Sequence, residues 1–314
     1  MATTGDAQRA TVTEGTMSWT VPDGTEVTTW YRTTTPAEPT PGAAPVLVVH
    51  GGPGASHDYL LALADLVGDG RTVVHYDQVG NGRSTHLPDA DPSLWSVQLF
   101  VDELAGLVRH LGLADGVHLV GQSWGGMLGP EYVLAHPEGV RSLAILDSPA
   151  SIDLWLAAAA RLRAQLPQEV QEALTRHEEA GTTDDPGYHE AMQVFYDRHV
   201  CRVVPNPPEV AATFAAIDAD PTVYLTMNGP SEFHVVGSLV GWSVVDRLPR
   251  LAVPTLVVAG EHDEAQPETW APFVELVPDV RSHVVAGASH MPHVEQPQEV
   301  LDVVGAFLRE HDLG

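Results

Sequence analysis

Short apolar runs rich in β-branched residues alternate with amphipathic segments through much of this 314-residue chain. Runs that are apolar throughout are typical of parallel strands covered by helices on both faces of a sheet. A repeated order of strand, loop and helix therefore favours an α/β fold with a mostly parallel central sheet. The predicted strands of this pattern are Val46–Val49, Thr72–Tyr76, Val117–Val120, Leu143–Leu146, Thr255–Ala259 and Ser282–Val285. The predicted helices are His57–Val67, Trp95–Leu111, Trp124–His136, Trp270–Leu276 and Pro297–Glu310, and two short strands precede them at Met17–Trp19 and Glu26–Arg32.

The alternation is interrupted in the middle of the chain. It stops near Pro149 and resumes after Trp242. The intervening sequence is helix-like over Leu154–Leu166, Gln168–Glu179 and Tyr188–His199. We therefore predict one core domain made of residues 1–149 and 243–314, with residues 150–242 inserted into it as a helical cap.

The composition is that of a globular protein with many more acidic than basic residues. Hydrophobic residues make up 44% of the chain and charged residues 18%, which is within the range of folded domains. The 42 acidic and 15 basic side chains give a formal net charge of -27. Such a surface repels phosphate backbones and anionic lipid, so we expect neither nucleic acid nor a membrane as partner. It modestly favours cationic substrates, although an acidic surface also serves solubility alone.

We expect no targeting segment in this sequence. Residues Met1–Ala10 are polar and lack the apolar region of a secretory signal. No run approaches the ~20 apolar residues that a membrane span requires. The single cysteine, Cys201, cannot form an intrachain disulfide. We expect a cytoplasmic protein, and the sequence leaves its oligomeric state open.

The stretch Gly121-Gln122-Ser123-Trp124-Gly125 lies between a predicted strand and a predicted helix. In this context G-x-S-x-G forms a turn so tight that side chains two residues on either side of the serine would collide. The turn raises the serine hydroxyl above the sheet edge at the N-terminus of a helix. Free N–H groups and the helix dipole favour a developing negative charge there. We predict that Ser123 is a nucleophile.

A serine nucleophile needs a base, and the base needs a carboxylate that orients it. When G-x-S-x-G lies in an α/β-hydrolase fold, the order along the chain is serine, acid, histidine. Asp263 follows the predicted strand Thr255–Ala259, and His290 follows the predicted strand Ser282–Val285. Both therefore emerge at the carboxyl ends of strands, where such sheets place their ligands. We predict His290 as the base and Asp263 as the orienting acid.

Neighbouring residues have alternative interpretations. Asp147 follows an earlier strand and could serve as the acid, although Asp263 lies in the better-matched loop. We expect His293 at the surface or behind the catalytic groups, and His262 beside the acid. The loop Asp77–Ser84 is interpreted as architectural, stabilised by its own Asp77 and Arg83.

A serine hydrolase also needs two N–H donors for the oxyanion. One is expected from the residue after the nucleophile, Trp124. The other is expected from the loop His50–Gly54, in which glycines let the backbone approach a substrate closely. Gly52 is the predicted donor of that loop.

Several stretches of the sequence occur together in one known family. They are His50–Gly54, Ser56–Leu61, Asp77–Ser84, Gly121–Gly126, Met227–Phe233, Gly260–Glu264 and Ser289-His290. With them the chain resembles the proline iminopeptidase family, and most closely its tricorn-interacting aminopeptidases, over most of its length. The Asn-Gly-Pro-x-Glu-Phe sequence within Met227–Phe233 is the most specific of these matches, because it lies in the inserted segment that varies between families.

The resemblance implies a cap over the active site and two glutamates that hold the free α-amino group of the substrate, here Glu232 and Glu264. An ammonium group under a cap loses its hydration and needs carboxylate partners. The alternative is that both glutamates are solvated at the surface, as most glutamates are. Six aromatic residues of the cap are either pocket liners or cap core, so a preference for proline does not carry over. They are Trp155, Phe195, Tyr196, Phe214, Tyr224 and Trp242.

The leading hypothesis is an aminopeptidase or amino-acid amidase that acts through an acyl-enzyme, with no metal or organic cofactor. Its substrate is a small molecule or short peptide with a free α-amino group. A second hypothesis keeps the catalytic residues but makes the protein an esterase, thioesterase or amidase acting on a specialised metabolite. A non-enzymatic ligand receptor is disfavoured, because serine, acid and histidine are all present. Dehalogenase and epoxide-hydrolase chemistry needs a carboxylate where Ser123 stands, and is disfavoured for that reason.

Overall fold

The apolar runs of the sequence assemble into an eight-stranded sheet in the computed structural model, which describes residues 10–312. The polar segment 1–9, for which the sequence predicts no secretory signal, lies outside the described residues. The strands are β1 (Ala10–Thr20), β2 (Glu26–Pro36), β3 (Val46–Val49), β4 (Val73–Tyr76), β5 (Val117–Gln122), β6 (Val140–Leu146), β7 (Thr255–Gly260) and β8 (Val280–Val285).

The strand order across the sheet is β1-β2-β4-β3-β5-β6-β7-β8. The pairs β1–β2 and β2–β4 are antiparallel, and every pair from β4 to β8 is parallel. The predicted α/β class with a mostly parallel sheet is therefore confirmed. The first two strands are longer than predicted, because β1 is largely exposed and pairs through its backbone beyond the buried Met17.

Ten α-helices lie within residues 10–312. They are α1 (Val97–His110), α2 (Trp124–Ala135), α3 (Ile152–Arg163), α4 (Gln168–Ala180), α5 (Pro186–His199), α6 (Pro208–Ala219), α7 (Thr222–Met227), α8 (Pro267–Leu276), α9 (Pro292–Glu295) and α10 (Pro297–Glu310). Three 3₁₀ helices span Asp58–Asp69, Pro92–Leu94 and Val245–Arg250. None of the helices in this range has both the length and the apolar character needed to cross a bilayer.

Apolar packing fixes the sheet between two layers of the core. Within β3, Leu47 and Val49 contact one buried cluster, whereas Val46 and Val48 contact the cluster on the opposite face. This division follows from the two-residue period of a strand. The sheet is thus held on both faces, and the carboxyl ends of β5 to β8 form a fixed edge for the loops that follow them.

Helices α3 to α7 all lie in the segment between β6 and β7. The two ends of this segment meet, because Ser151 and Ser243 form an antiparallel bridge. The Ile152 N–H donates to the Trp242 carbonyl over 3.0 Å beside that bridge. The chain therefore leaves and re-enters the sheet region at one point.

Candidate active site

The loop between β5 and α2 forms a strained turn at Ser123. This serine has φ 54° and ψ -120°, a backbone conformation that non-glycine residues rarely adopt. A Cβ atom on Gly121 would overlap the Gly125 carbonyl, and one on Gly125 would overlap the Val49 carbonyl. Glycine is thus required on both sides of the serine, for the steric reason expected from the sequence. The turn places Ser123 at the N-terminus of α2.

An imidazole and a carboxylate converge beside this turn. His290 Nδ1 donates to Asp263 Oδ1 over 2.7 Å, and both side chains are buried. The same Asp263 oxygen accepts from the Ala265 N–H over 2.8 Å. Burial lowers the pKa of His290, but the opposing effects of Asp263 and Glu232 leave that pKa above its ordinary value. The pair is therefore arranged to stabilise an imidazolium ion.

The hydroxyl of Ser123 makes no hydrogen bond to a protein atom within residues 10–312. Ser123 is 8% exposed, so its hydroxyl can be reached from the pocket above it. His290 Nε2 lies 3.9 Å from Glu264 Oε1, and the Trp155 ring packs edge-on against the imidazole with ring centroids 5.7 Å apart. Hydrogen bonds between a nucleophile and its base commonly tighten only in complexes with substrate.

The predicted oxyanion donors, Gly52 and Trp124, line the same pocket as Ser123. Gly52 has φ 109°, a conformation that suits glycine. Trp124 is the first residue of α2, so its N–H has no acceptor within the helix. The Trp124 indole donates to Gln78 Oε1 over 2.9 Å, and the Gln78 amide donates to the His50 carbonyl over 2.9 Å. Gln78, which the sequence assigned to an architectural loop, thus ties the two donor segments together.

The two glutamates singled out by resemblance lie in the site and not on the surface. Glu232 is partly buried and accepts from the Tyr224 hydroxyl over 2.7 Å. Glu264 is fully buried, and neither of its carboxyl oxygens has a hydrogen-bond partner among the described residues. Burial raises the pKa of Glu232, and burial together with Glu232 and Asp263 raises the pKa of Glu264 well above its ordinary value.

The site carries more acidic than basic groups. The carboxyls of Asp147, Asp263, Glu232 and Glu264 all lie close to His290 or to one another. Within residues 10–312, His290 is the only basic side chain that pairs with any of them. Buried carboxylates without cationic partners are unfavourable, so a positively charged ligand would stabilise this arrangement. The described part of the chain contains no cluster of three or more His, Cys, Asp or Glu side chains suited to a metal ion.

The pocket above Ser123 is small and mostly apolar. Its lining residues are Gly52, Ser123, Trp124, Met127, Pro149, Ile152, Trp155, Asn228, Glu232 and Leu239. Of the six cap aromatics considered from the sequence, only Trp155 is in this lining. The sequence missed Met127, Ile152 and Leu239, because apolar residues on helices and loops look the same whether they face the core or a pocket.

The remaining cap aromatics make other contacts, and Phe214 packs against Tyr196 with ring centroids 6.0 Å apart. The hydroxyls of Tyr196 and Tyr224 contact Glu232, at its N–H and its carboxylate respectively. Phe195 packs against Phe233 with ring centroids 4.8 Å apart. The Trp242 indole donates to Glu131 of α2 over 2.9 Å, outside the pocket lining. The two tyrosines therefore position a pocket residue without lining the pocket themselves.

The competing candidates occupy distinct places. Asp147 is buried at the end of β6 and accepts from the Gly260 N–H over 3.0 Å; it makes no hydrogen bond with His290 among the described residues. His293 is buried rather than at the surface, with its ring 5.5 Å from that of Tyr59. The His262 carbonyl accepts from His199 Nδ1 of α5 over 2.9 Å, which connects the inserted segment to the loop that carries Asp263.

Comparisons with known proteins identify the fold and the family of the chain. A family model described as the alpha/beta hydrolase fold matches residues 44–297. A proline iminopeptidase of Heyndrickxia coagulans is 39% identical over 267 residues, which cover 85% of this chain and 91% of that protein. The crystal structure of a proline iminopeptidase of Mycobacterium smegmatis is 56% identical, with a TM-score of 0.86 over 95% of this chain and 99% of that one. The crystal structure of VinJ is 51% identical, with a TM-score of 0.90 and the same coverage of 95% and 99%.

Proposed function

Because the chain belongs to the proline iminopeptidase family of α/β hydrolases, we propose that it releases an N-terminal residue by cleaving the amide bond that follows it. The observation that carries the proposal is Glu264. This carboxyl is fully buried, has no hydrogen-bond partner among the described residues and lies 3.9 Å from His290 Nε2. A buried carboxyl without a partner is costly, and a ligand that supplies the partner offsets that cost.

The catalytic steps follow from the positions of three side chains. Ser123 Oγ attacks the scissile carbonyl while His290 Nε2 accepts its proton, and Asp263 holds the imidazole through Nδ1. The N–H groups of Gly52 and Trp124 stabilise the negative charge on the substrate oxygen. His290 then protonates the leaving amine. A water molecule, deprotonated by His290, hydrolyses the acyl-enzyme.

Recognition of the free α-amino group is assigned to Glu232 and Glu264. The carboxyls influence each other electrostatically, and the raised pKa of Glu264 follows from burial first and from Glu232 second. An ammonium group placed between them provides the missing charge and hydrogen-bond donors, and thereby favours the ionised carboxylates. An N-acylated substrate has no such charge, so it would leave both carboxyls without a cationic partner. The two glutamates therefore select substrates that have a free α-amino group.

The inserted segment 150–242 acts as the cap in this proposal. It supplies Ile152, Trp155, Asn228, Glu232 and Leu239 to the pocket lining. The backbone bridge between Ser151 and Ser243, at the two ends of the segment, supports the boundaries predicted from the sequence. The core, residues 1–149 and 243–314, supplies the catalytic groups.

The decisive experiment compares aminoacyl arylamides with their N-acetyl forms, using a panel that includes the prolyl compound. We expect cleavage of the free amines only. A Glu232→Gln variant should lower kcat/KM for the free amine by about 10- to 100-fold, the effect of losing a hydrogen bond to a charged group. Glu38→Gln, at an exposed position, is the matched control and should be unchanged. Equal cleavage of the free-amine and N-acetyl arylamides would instead favour an esterase or amidase that does not recognise the amino group.

A further inference from the structure

Two residues other than glycine have a positive φ within residues 10–312: Ser123 at 54° and Asp147 at 52°. Strained backbone of this kind is concentrated at functional sites, where the surrounding structure maintains it. The strain at Ser123 is explained by the nucleophile turn. Asp147 lies at the end of β6, between the strands that precede Ser123 and Asp263, yet the mechanism above gives it no role.

The backbone of Gly260 links Asp147 to Asp263. Its N–H donates to Asp147 Oδ1 over 3.0 Å, and its carbonyl accepts from the Asp263 N–H over 3.3 Å. The Asp147 N–H also donates to the Val258 carbonyl over 2.8 Å. These bonds hold the two carboxyls close together, and after burial the proximity of Asp263 is the main cause that raises the pKa of Asp147. The contact depends on neighbouring strands, β6 and β7, that are far apart in sequence.

Each of the two carboxyls has one oxygen that accepts none of the N–H hydrogen bonds described above. Asp147 Oδ2 and Asp263 Oδ2 are both buried, and neither has another hydrogen-bond partner among the described residues. Two ionised carboxylates cannot hydrogen-bond to each other, because neither carries a donor. A single proton between the two groups satisfies both oxygens.

The proton belongs on Asp147. Asp263 Oδ1 already accepts two hydrogen bonds, from His290 Nδ1 and from the Ala265 N–H, whereas Asp147 Oδ1 accepts one, from the Gly260 N–H. The ionisable groups that act most strongly on Asp147 are Asp263 and Glu295, and Asp147 in turn acts on Tyr59; none of the three is cationic. Burial, followed by Asp263, raises the pKa of Asp147 well above its ordinary value.

We propose that Asp147 is a positioning residue that remains protonated and donates its O–H to Asp263 Oδ2, so that Asp263 Oδ1 stays aligned with His290 Nδ1. The assignment rests on the catalytic roles given to Ser123, Asp263 and His290. It is independent of how the substrate amino group is recognised. Asp147 acts through Asp263 and touches no reacting atom.

The test uses Asp147→Asn and Asp147→Ala in the full chain. Asparagine keeps an N–H donor for Asp263 and an oxygen acceptor for Gly260, whereas alanine removes both. The readout is the rate at which an uncharged fluorophosphonate labels Ser123, measured against pH. We expect Asp147→Asn to label within about threefold of the wild type and Asp147→Ala to label about 10- to 100-fold more slowly. In Asp147→Ala the acidic midpoint should move to higher pH, because Asp263 without its donor stabilises the imidazolium more strongly.

Equal behaviour of the two variants in both rate and midpoint would overturn the proposal, whether both match the wild type or both are impaired. If Asp147→Ala fails to fold, thermal unfolding of the wild type and Asp147→Asn from about pH 5 to pH 8 decides the question. If Asp147 is protonated in the folded state but ionised in the unfolded state, the wild type loses stability relative to Asp147→Asn as pH rises. A constant difference would contradict a protonated Asp147.

The labelling assay also separates this proposal from the proposed function. Failure of the wild type to react with the probe would remove the catalytic roles, and Asp147's role with them. Normal labelling together with equal cleavage of free and N-acetyl arylamides would refute amino-group recognition alone, and the comparison of the two Asp147 variants would stand.

Discussion

Glu264 illustrates how a single residue can favour function over stability. Its carboxyl is fully buried and lacks a hydrogen-bond partner among the described residues. Its folded-state pKa lies well above 4.5, so the folded protein binds a proton that the unfolded chain releases above that pH. Stability contributed by this group is therefore present at low pH and is lost as pH rises. The substrate ammonium is expected to favour ionisation of Glu264 on binding.

Replacing Glu264 by glutamine should stabilise the protein and weaken it as an aminopeptidase. The melting temperature should exceed that of the wild type by an amount that grows as pH rises above about 4.5, because glutamine needs no proton to be neutral. KM for free aminoacyl arylamides should rise about tenfold or more. Thermal melts across pH and steady-state kinetics measure the two effects, with Glu38→Gln as the control. A variant with unchanged KM would argue against contact between Glu264 and the substrate.

The catalytic residues differ in how far sequence alone could identify them. Ser123 can be identified from its two flanking glycines, because a Cβ atom added to either of them would overlap the neighbouring backbone. This is a local property, so a short sequence motif reveals it. Asp263 and His290 follow from chain order and from their places after strands. Asp147 was considered only as a rival acid, because its contact with Asp263 depends on the pairing of β6 with β7, and spacing along the chain does not reveal that pairing.

At the scale of elements, the turn between β5 and α2 is the most tightly constrained. A Gly121→Ala variant should be destabilised by about 1–3 kcal/mol, because the added Cβ overlaps the Gly125 carbonyl. That carbonyl cannot move without displacing the helix. Urea unfolding measures the change. Gly68→Ala is the matched control, since an added Cβ there meets nothing within 4 Å. Similar unfolding midpoints for the two variants would show that the turn is more tolerant than its geometry indicates.

The elements that could be predicted are those whose apolar pattern is continuous. β3 and α10 have the predicted bounds, Val46–Val49 and Pro297–Glu310. Helix α6 was not predicted, because its alanine-rich sequence has no clear polar and apolar faces, and Val210 and Thr213 alone are buried in it. The 3₁₀ helix Asp58–Asp69 was predicted at nearly the right place. Apolar spacing does not distinguish a 3₁₀ from an α-helix over so few turns.

At the scale of the whole molecule, contacts join the inserted segment to the core beside the catalytic residues as well as at the ends of the insertion. The His290 N–H donates over 3.1 Å to the carbonyl of His199, the last residue of α5. His199 Nδ1 donates to the carbonyl of His262, next to Asp263. The sequence predicted where the insertion lies from the loss of strand and helix alternation. These contacts could not be predicted, because they join residues that are distant in sequence and end on backbone carbonyls, which every residue carries.

Net charge is a property of the whole chain, and it should affect how fast substrates arrive. With 42 acidic and 15 basic side chains, the protein attracts cations over distances that salt screens to about 10 Å at 0.1 M. We expect kcat/KM for free-amine substrates to fall roughly two- to tenfold as potassium chloride rises from about 0.01 to 0.5 M, with little change in kcat. Buried carboxylates such as Glu264 are screened far less than surface charges, so most recognition of the substrate should survive high salt.

Labelling of Ser123 by an uncharged fluorophosphonate is the control and should not depend on salt. If the labelling rate fell in parallel with kcat/KM, salt would be acting on the catalytic groups themselves, and long-range attraction of the substrate would not be the cause.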